Sequence, residues 1–520
     1  MAKKHISYFG QYPEFVFPEK FLEKYYLHIQ QEDKGNTLSD RILNDLDLNE
    51  FIEHSNHCVS AIGQQYFYSK IRLTDIENNN WNKDEKIIEK INNDESLRTK
   101  VEKALHKLQN TKSLFIVDLI FQQHIEIPRI FLLYKLLFLG SVATLLLSFI
   151  NSAFFLVFIG LLIINSIIHY TNKKNLQLYI DSIPMLIRMH ETIEELKNIE
   201  GIKEIDEDID PAIKVLKSLR KKLSMISIEA KMDEGFWSLV WTVMELVKMA
   251  FLIEPIVFFN AILQLKGNKK ELEQIYRFIG KTDFLYAIAS LRKTLVPYTL
   301  PNFTEQNIYS ADDIYHPLIN NCVSNTIHLE NQSVLLTGSN MSGKTTFIRT
   351  IGLNLISALA INTCFAKNIT MSRYQLNSAI RMNDDLLNDK SYYFDEVLRI
   401  KEMLEISRSK QSSLFLLDEI FKGTNTVERI AAGKAVLEYL SKSNLVIVST
   451  HDIELADLLK DSFVLYHFSE QVDDNNIDFD YKLKPGKLTN RNAIKILKLN
   501  QYPHVVIEEA LKIAEKLDEG

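Results

Sequence analysis

Apolar positions along this 520-residue chain change their spacing three times. Over residues 38–125 they recur at helical intervals, as in Ile87, Ile88 and Ile91 and then Leu97, Val101, Leu105 and Leu108. Asn92-Asn93-Asp94 supplies turn and cap residues between those two runs. From Leu136 to Ile168 the alternation vanishes, and 33 consecutive residues carry no charge. Helical spacing returns over 175–295, where Asp210-Pro211 is a good N-cap and N1 pair opening a helix with Lys214, Lys217 and Lys221 on one side. Past Pro297, Pro301 and Pro317 the pattern becomes short apolar strands alternating with helical segments. The organisation expected is a lead-in over 1–37, an all-α region in two parts (38–125 and 171–300) split by an apolar hairpin at 126–170, and an α/β domain over 301–520.

The uncharged run is too long for one typical membrane span and suits two short ones, about Ile130–Ile150 and Ala153–Ile168, with a break at Asn151-Ser152. Arg129 and Lys135 at the entry and Lys173-Lys174 at the exit fit a hairpin with both ends in the cytoplasm. The alternative is a buried helical hairpin, but a soluble core helix rarely lacks a polar face over this length. The membrane expected is the inner, cytoplasmic one, with the α/β domain in the cytoplasm. A second apolar stretch, Phe236 to Leu265, carries Glu245, Lys248 and Glu254-Pro255, which are expensive in lipid, so it reads as a buried core helix.

Composition adds limits. The net charge of −7 offers no global basic character for nucleic acid, which leaves local faces such as Lys214–Lys222; a solvated helix face is the bland reading of that stripe. Cys58, Cys322 and Cys364 are scattered, lack metal spacing and read as buried small hydrophobes. The N-terminal Met-Ala-Lys-Lys-His-Ile has no apolar core of a cleavable signal peptide.

The chemistry lies in the α/β part. Gly338-Ser-Asn-Met-Ser-Gly-Lys-Thr345 is a complete G-x-x-x-x-G-K-[ST] loop between an apolar run, Ser333–Thr337, and a helical one from Thr346. In that context the backbone N–H groups of Gly338, Ser339, Asn340, Met341, Ser342 and Gly343, with Lys344, Thr345 and Thr346 at the helix start, form a phosphate cradle. Lys344 suits the β- and γ-phosphates of ATP, and the Thr345 hydroxyl suits Mg²⁺. Ser413-Leu-Phe-Leu-Leu ends in Asp418-Glu419: a buried parallel strand delivering two carboxylates at its C-terminal end. Asp418 is the expected Mg²⁺ partner, and Glu419 the group that polarises the attacking water. Leu445-Val-Ile-Val-Ser-Thr-His451 is a further strand with a polar end, placing His451 as a sensor of the γ-phosphate. A lone histidine after a strand is usually structural; coming third after the loop and the Asp-Glu pair, the functional role is favoured.

These segments together resemble the MutS family of DNA mismatch-repair ATPases. Thr337–Thr346, with its Asn340-Met341 pair, is similar to that family's Walker A segment, and Tyr315-His-Pro-Leu318 to its His-Pro element. Ile380–Leu386 followed by Ser391 and Glu396 resembles the stretch bearing its signature-like serine. Leu417-Asp-Glu-Ile420 with Gly423-Thr-Asn-Thr426, Ser449-Thr-His451-Asp, and Tyr481–Gly486 with Val506–Ala510 resemble its Walker B, Thr-His and closing segments. Ser60-Ala-Ile-Gly63 and Thr282–Leu291 look like pieces of its lever and core. The resemblance is strong over about 300–520 and weak over most of 38–125 and 175–300; the apolar hairpin is foreign to the family. It implies an ABC/MutS-type P-loop NTPase that works as a homodimer with composite sites, Ser391 of one subunit approaching the γ-phosphate held by the other, and it implies possible DNA binding.

Departures temper that inheritance. No room is seen for a mismatch-reading domain, and Phe51-Ile-Glu53, the one Phe-x-Glu of interest, lies in a helical segment. Asp389 replaces a signature glycine, and Phe421-Lys422 a Gly-Arg pair, changes expected to slow hydrolysis or alter communication between subunits. The expectation is a membrane-tethered ATPase clamp. A switch with little hydrolysis and a transport-type ATPase are the alternatives; the latter lacks a Leu-Ser-Gly-Gly-Gln loop.

Overall fold

The computed structural model describes residues 9–518 apart from 13–15, 31–36, 75, 77–80, 122–125, 228–236, 340, 382–391, 410, 473–476, 489–493, 496 and 498–499. The chain divides into two compact units. One comprises Met1–Lys34, Ser55–Arg72 and Asn80–Thr294, the other Gly35–His54, Leu73–Asn79 and Leu295–Gly520.

The first unit is helical. Its centre is the helix Ala61–Arg72, almost wholly buried, lying against the 26-residue helix Lys269–Thr294. Two glycines allow that approach: a Cβ on Gly63 would fall 2.0 Å from an Asp283 carboxylate oxygen, and one on Gly280 would fall 2.8 Å from Tyr66. The buried Asp283 carboxylate accepts from the Val59 N–H (2.9 Å), the Ser60 N–H (2.7 Å) and the Ser60 hydroxyl (2.6 Å), so it satisfies the free amides at the start of Ala61–Arg72. Burial still pushes its carboxyl up to about 6 against the pull of those bonds.

The uncharged run forms two helices, Phe131–Leu147 and Ala153–Leu196. The break falls at 148–152, and the second helix does not stop at Ile168 but continues to Leu196 with Pro184 inside it. Charge alone does not end a helix. Among the described residues one helix, Ala153–Asn172, is by length and composition apolar enough to cross a membrane; Phe131–Leu147, at 17 residues, is shorter. Their outward faces are apolar and open, as at Leu139, Leu146 and Leu156. The stretch read as one buried core helix is two, Trp237–Ala250 and Ile253–Gly267, bent by 68°. Leu252, in the left-handed region at φ 51°, makes the corner.

The second unit is α/β. Its strands are β1 (Asn302–Thr304), β2 (Ile308–Ile314), β3 (Asn325–Glu330), β4 (Ser333–Thr337), β5 (Asn368–Ser372), β6 (Gln375–Ala379), β7 (Ser413–Asp418), β8 (Leu445–Thr450), β9 (Phe463–His467), β10 (Glu470–Val472), β11 (Ile477–Phe479) and β12 (Lys484–Pro485). The principal sheet runs β12-β9-β4-β8-β7-β6, parallel except for β12 on β9, and a smaller one runs β1-β5-β2-β3. Strands β4, β7 and β8 are buried on both faces, which is why they read as unbroken apolar runs. Sequence spacing groups 38–54 with the helical region; in the structure Gly35–His54 clusters with the α/β unit instead. The reason is chemical. Asp45, on the helix Asp40–Leu46, is buried and accepts from the Ser378 hydroxyl (2.8 Å), the Ile380 and Arg381 N–H groups (3.2 and 2.8 Å) and the Arg399 guanidinium.

Candidate nucleotide site

Strand β4 ends at Thr337, and the loop turns into the helix Lys344–Ile361, whose first turn points its free N–H groups at the loop. Gly338 sits at φ +152°, and a Cβ there would fall 2.7 Å from the Phe468 carbonyl oxygen, so the cradle closes only with glycine. Lys344 curls back over the loop, donating to the carbonyls of Gly338 (2.7 Å) and Ser339 (2.8 Å). Its position over those carbonyls is where a phosphate-binding ammonium belongs. Burial pulls the ammonium below its ordinary pKa, while Asp418, Glu419 and Glu470 pull the other way. The Ser342 hydroxyl donates to the Ser339 carbonyl at 2.8 Å, and the Ser339 hydroxyl donates to Glu470. Met341, at φ 70°, is exposed at the loop tip, and Thr346 lies in the helix's first turn.

Because β8 lies beside β4 and β7 beside β8 in one parallel sheet, their ends arrive near this loop. Asp418 closes β7, accepting from the Thr345 hydroxyl at 2.7 Å and from the Ser449 hydroxyl. Glu419, in the left-handed region at φ 56°, swings its carboxylate to His451 Nε2 at 2.8 Å and Lys422 Nζ at 3.4 Å. Burial pushes the Glu419 carboxyl up, but His451 and then Lys422 outweigh it and hold it at about 2. The Arg429 guanidinium grips Asp452, next to His451, with bonds of 2.8 and 2.7 Å. Lys344, Thr345, Asp418, Glu419 and His451 are thus gathered at one sheet edge. Ser391 and Asn340 lie outside the described residues.

A cavity of about 550 Å³ opens beside the loop, with Tyr315, Ile319, Met341, Phe347, Phe468 and Tyr481 among its walls. Its mixture of aromatic surface and convergent polar groups suits a small molecule carrying a flat ring and phosphates. His316, next to Tyr315, is buried; that burial, and secondarily the Arg349 charge, depresses its pKa to about 4 against the pull of Asp47. Phe51, the phenylalanine of the Phe-x-Glu letters, is buried against Phe365 and offers no surface wedge. Spacing alone gave no sign of Glu470 or Phe468; both lie just past β9 and reach the loop only through the fold.

A glycine loop between strand and helix, beside a strand-end Asp-Glu pair and a strand-end histidine, makes a candidate phosphate-binding site on a parallel sheet. Residues 334–518 match the family model described as MutS domain V. Among curated relatives, the DNA mismatch repair protein MutS of Staphylococcus aureus strains JH9, Newman and N315 is 28% identical over 268 residues, a span of 49% of this chain. The chain covers about 30% of each of those relatives' length.

Proposed function

We propose that this chain is a membrane-tethered, MutS-like ATPase whose nucleotide cycle drives a dimer between open and clamped states. The observation that carries the reading is the meeting of the Lys344 loop, the Thr345–Asp418 pair and the Glu419–His451 pair at the ends of β4, β7 and β8. Lys344 and the loop N–H groups bind the β- and γ-phosphates of ATP. Thr345 and Asp418 offer the hard oxygen donors that would hold Mg²⁺, which would supply positive charge against the phosphates. Glu419 is ionised at neutral pH and accepts the proton of the attacking water, and His451 orients it. Ser391 supplied by a second copy completes the site. Tethering is supported by the uncharged run and by the open apolar faces of its helices. DNA binding is supported by what the matched relatives are named for and by the exposed Lys214 and Lys217.

One observation favours a slower variant of this scheme, a nucleotide switch. Lys422 pairs with the Glu419 carboxylate, competing with a water for the same oxygens. Turnover of the detergent-solubilised protein and its Glu419→Gln and Lys344→Ala variants decides the matter. The ATPase reading expects Glu419→Gln to bind ATP normally and to lose about 10²-fold or more in turnover, and Lys344→Ala to lose ATP binding. Wild-type turnover no higher than that of Glu419→Gln would leave only the switch. Absence of duplex or branched DNA binding at low salt would remove the nucleic-acid part.

A further inference from the structure

The bent pair Trp237–Ala250 and Ile253–Gly267 has the properties of a membrane element in its own right. Breaking a helix leaves carbonyls without their i+4 donors, and in water the solvent takes them. At this break the Ala250 carbonyl is instead taken by a buried side chain: Asn165 Nδ2 donates to it at 2.6 Å and to Ser141 Oγ at 3.0 Å, and both residues are fully shielded. Asn165 and Ser141 lie on the two hairpin helices. Phe251, at the corner, packs between Phe138 and Phe158 of the same two helices, with ring centroids 6.3 Å apart in each case.

The level of this contact is informative. Ser141 is ten residues past Phe131, roughly 15 Å along the helix at about 1.5 Å per residue, which is half of a hydrocarbon core about 30 Å thick. A backbone break at mid-membrane depth is tolerated only where a neighbouring helix satisfies the freed groups, and Asn165 does so for the Ala250 carbonyl. The charges that made this stretch look unsuited to lipid are paired. Lys248 meets Glu245 at 3.2 Å and His169 meets Glu254 at 3.5 Å, with Lys248 and His169 buried and Glu245 partly exposed. Among the described side chains of Trp237–Ala250, Thr242, Val243, Leu246 and Val247 are exposed, the last three by 53, 54 and 43%, continuous in character with the open apolar face of the hairpin.

We propose that residues 237–267 enter the membrane as a third, bent element beside the hairpin, pinned at the break by Asn165 and covered by lipid acyl chains over Val243, Leu246 and Val247. This rests on the membrane reading above. The test uses the full chain in phosphatidylcholine–phosphatidylglycerol liposomes, with its three cysteines replaced by alanine and one cysteine reintroduced for a bimane label. Val243→Cys and Leu246→Cys are compared with Leu156→Cys on the hairpin and Lys214→Cys on the basic helix. Expected is strong quenching at 243, 246 and 156 by nitroxides on acyl chains and weak quenching by aqueous iodide, with the reverse at 214. If 243 and 246 follow 214 while 156 is lipid-quenched, the third element is refuted and the hairpin stands. If 156 also follows 214, the membrane reading itself falls. In an Asn165→Leu background, lipid quenching at 243 and 246 should drop at least two-fold with 156 unchanged, whereas Asn165→Gln should preserve it. No change with leucine overturns the pinning role.

Discussion

Replacing Asp45 by alanine tests how the helix Asp40–Leu46 is built into the α/β unit. The carboxylate is 1% exposed and accepts four donors: the Ser378 hydroxyl, two strand-end N–H groups and the Arg399 guanidinium. Arg399 in turn holds the Ser378 and Arg381 carbonyls at 2.9 and 3.0 Å. Removing the carboxylate leaves a buried guanidinium without its counter-charge, which costs about 3–5 kcal/mol. Each buried N–H left without an acceptor adds about 1–3 kcal/mol, less whatever water recovers. A net loss of about 4 kcal/mol corresponds to roughly a thousandfold increase in local opening. Hydrogen exchange of a peptide spanning 376–381, read by mass spectrometry on the full chain, reports that opening at the Ile380 and Arg381 amides. Arg399→Leu and the double variant close the cycle: with both partners gone, the double variant should cost at least about 2 kcal/mol less than the sum of the singles. An Asp45→Ala effect below about 1 kcal/mol, or strict additivity, would refute the idea that a shared buried charge holds this helix in place.

Other consequences follow from single features. Gly63→Ala places a methyl group on the Asp283 carboxylate, so the helical unit should lose about 1–3 kcal/mol or more in urea unfolding; an unchanged midpoint would mean the two helices are not locked at that distance. His316, held neutral down to about pH 4 in the folded state but titrating near 6.5 when unfolded, contributes stability that is full above pH 6.5 and is lost as pH falls through 4. Its replacement by glutamine should therefore flatten the pH 4–6.5 limb of a melting-temperature profile, and an unaltered limb would assign the pH dependence elsewhere. Lys422→Ala removes a competitor for the Glu419 carboxylate and should raise turnover several-fold without weakening ATP binding, as measured by phosphate release and nucleotide titration; a fall in turnover would make Lys422 part of the machinery instead.

How much of this was legible in sequence depends on how local the cause is. The phosphate loop, the Asp418-Glu419 strand end and the strand before His451 are set by neighbours along the chain: glycines that permit the turn, and unbroken apolar runs that only a sheet buried on both faces accepts. So the sequence alone sufficed to nominate Lys344, Thr345, Asp418, Glu419 and His451 and to order them. It also marked the uncharged run, because 33 residues without a charge need no partner to be noticed. What it could not supply were facts decided by distant partners. Residues 35–54 join the α/β unit because Asp45 finds Arg399, more than 350 positions away. The apolar stretch after 236 turns at Leu252, and the carbonyl next to the turn is taken by Asn165, 85 positions away. Glu470 reaches the phosphate loop because β9 lies beside β4. Each is a polar group that must be satisfied once water is excluded, and which partner satisfies it is known only when the chain has folded.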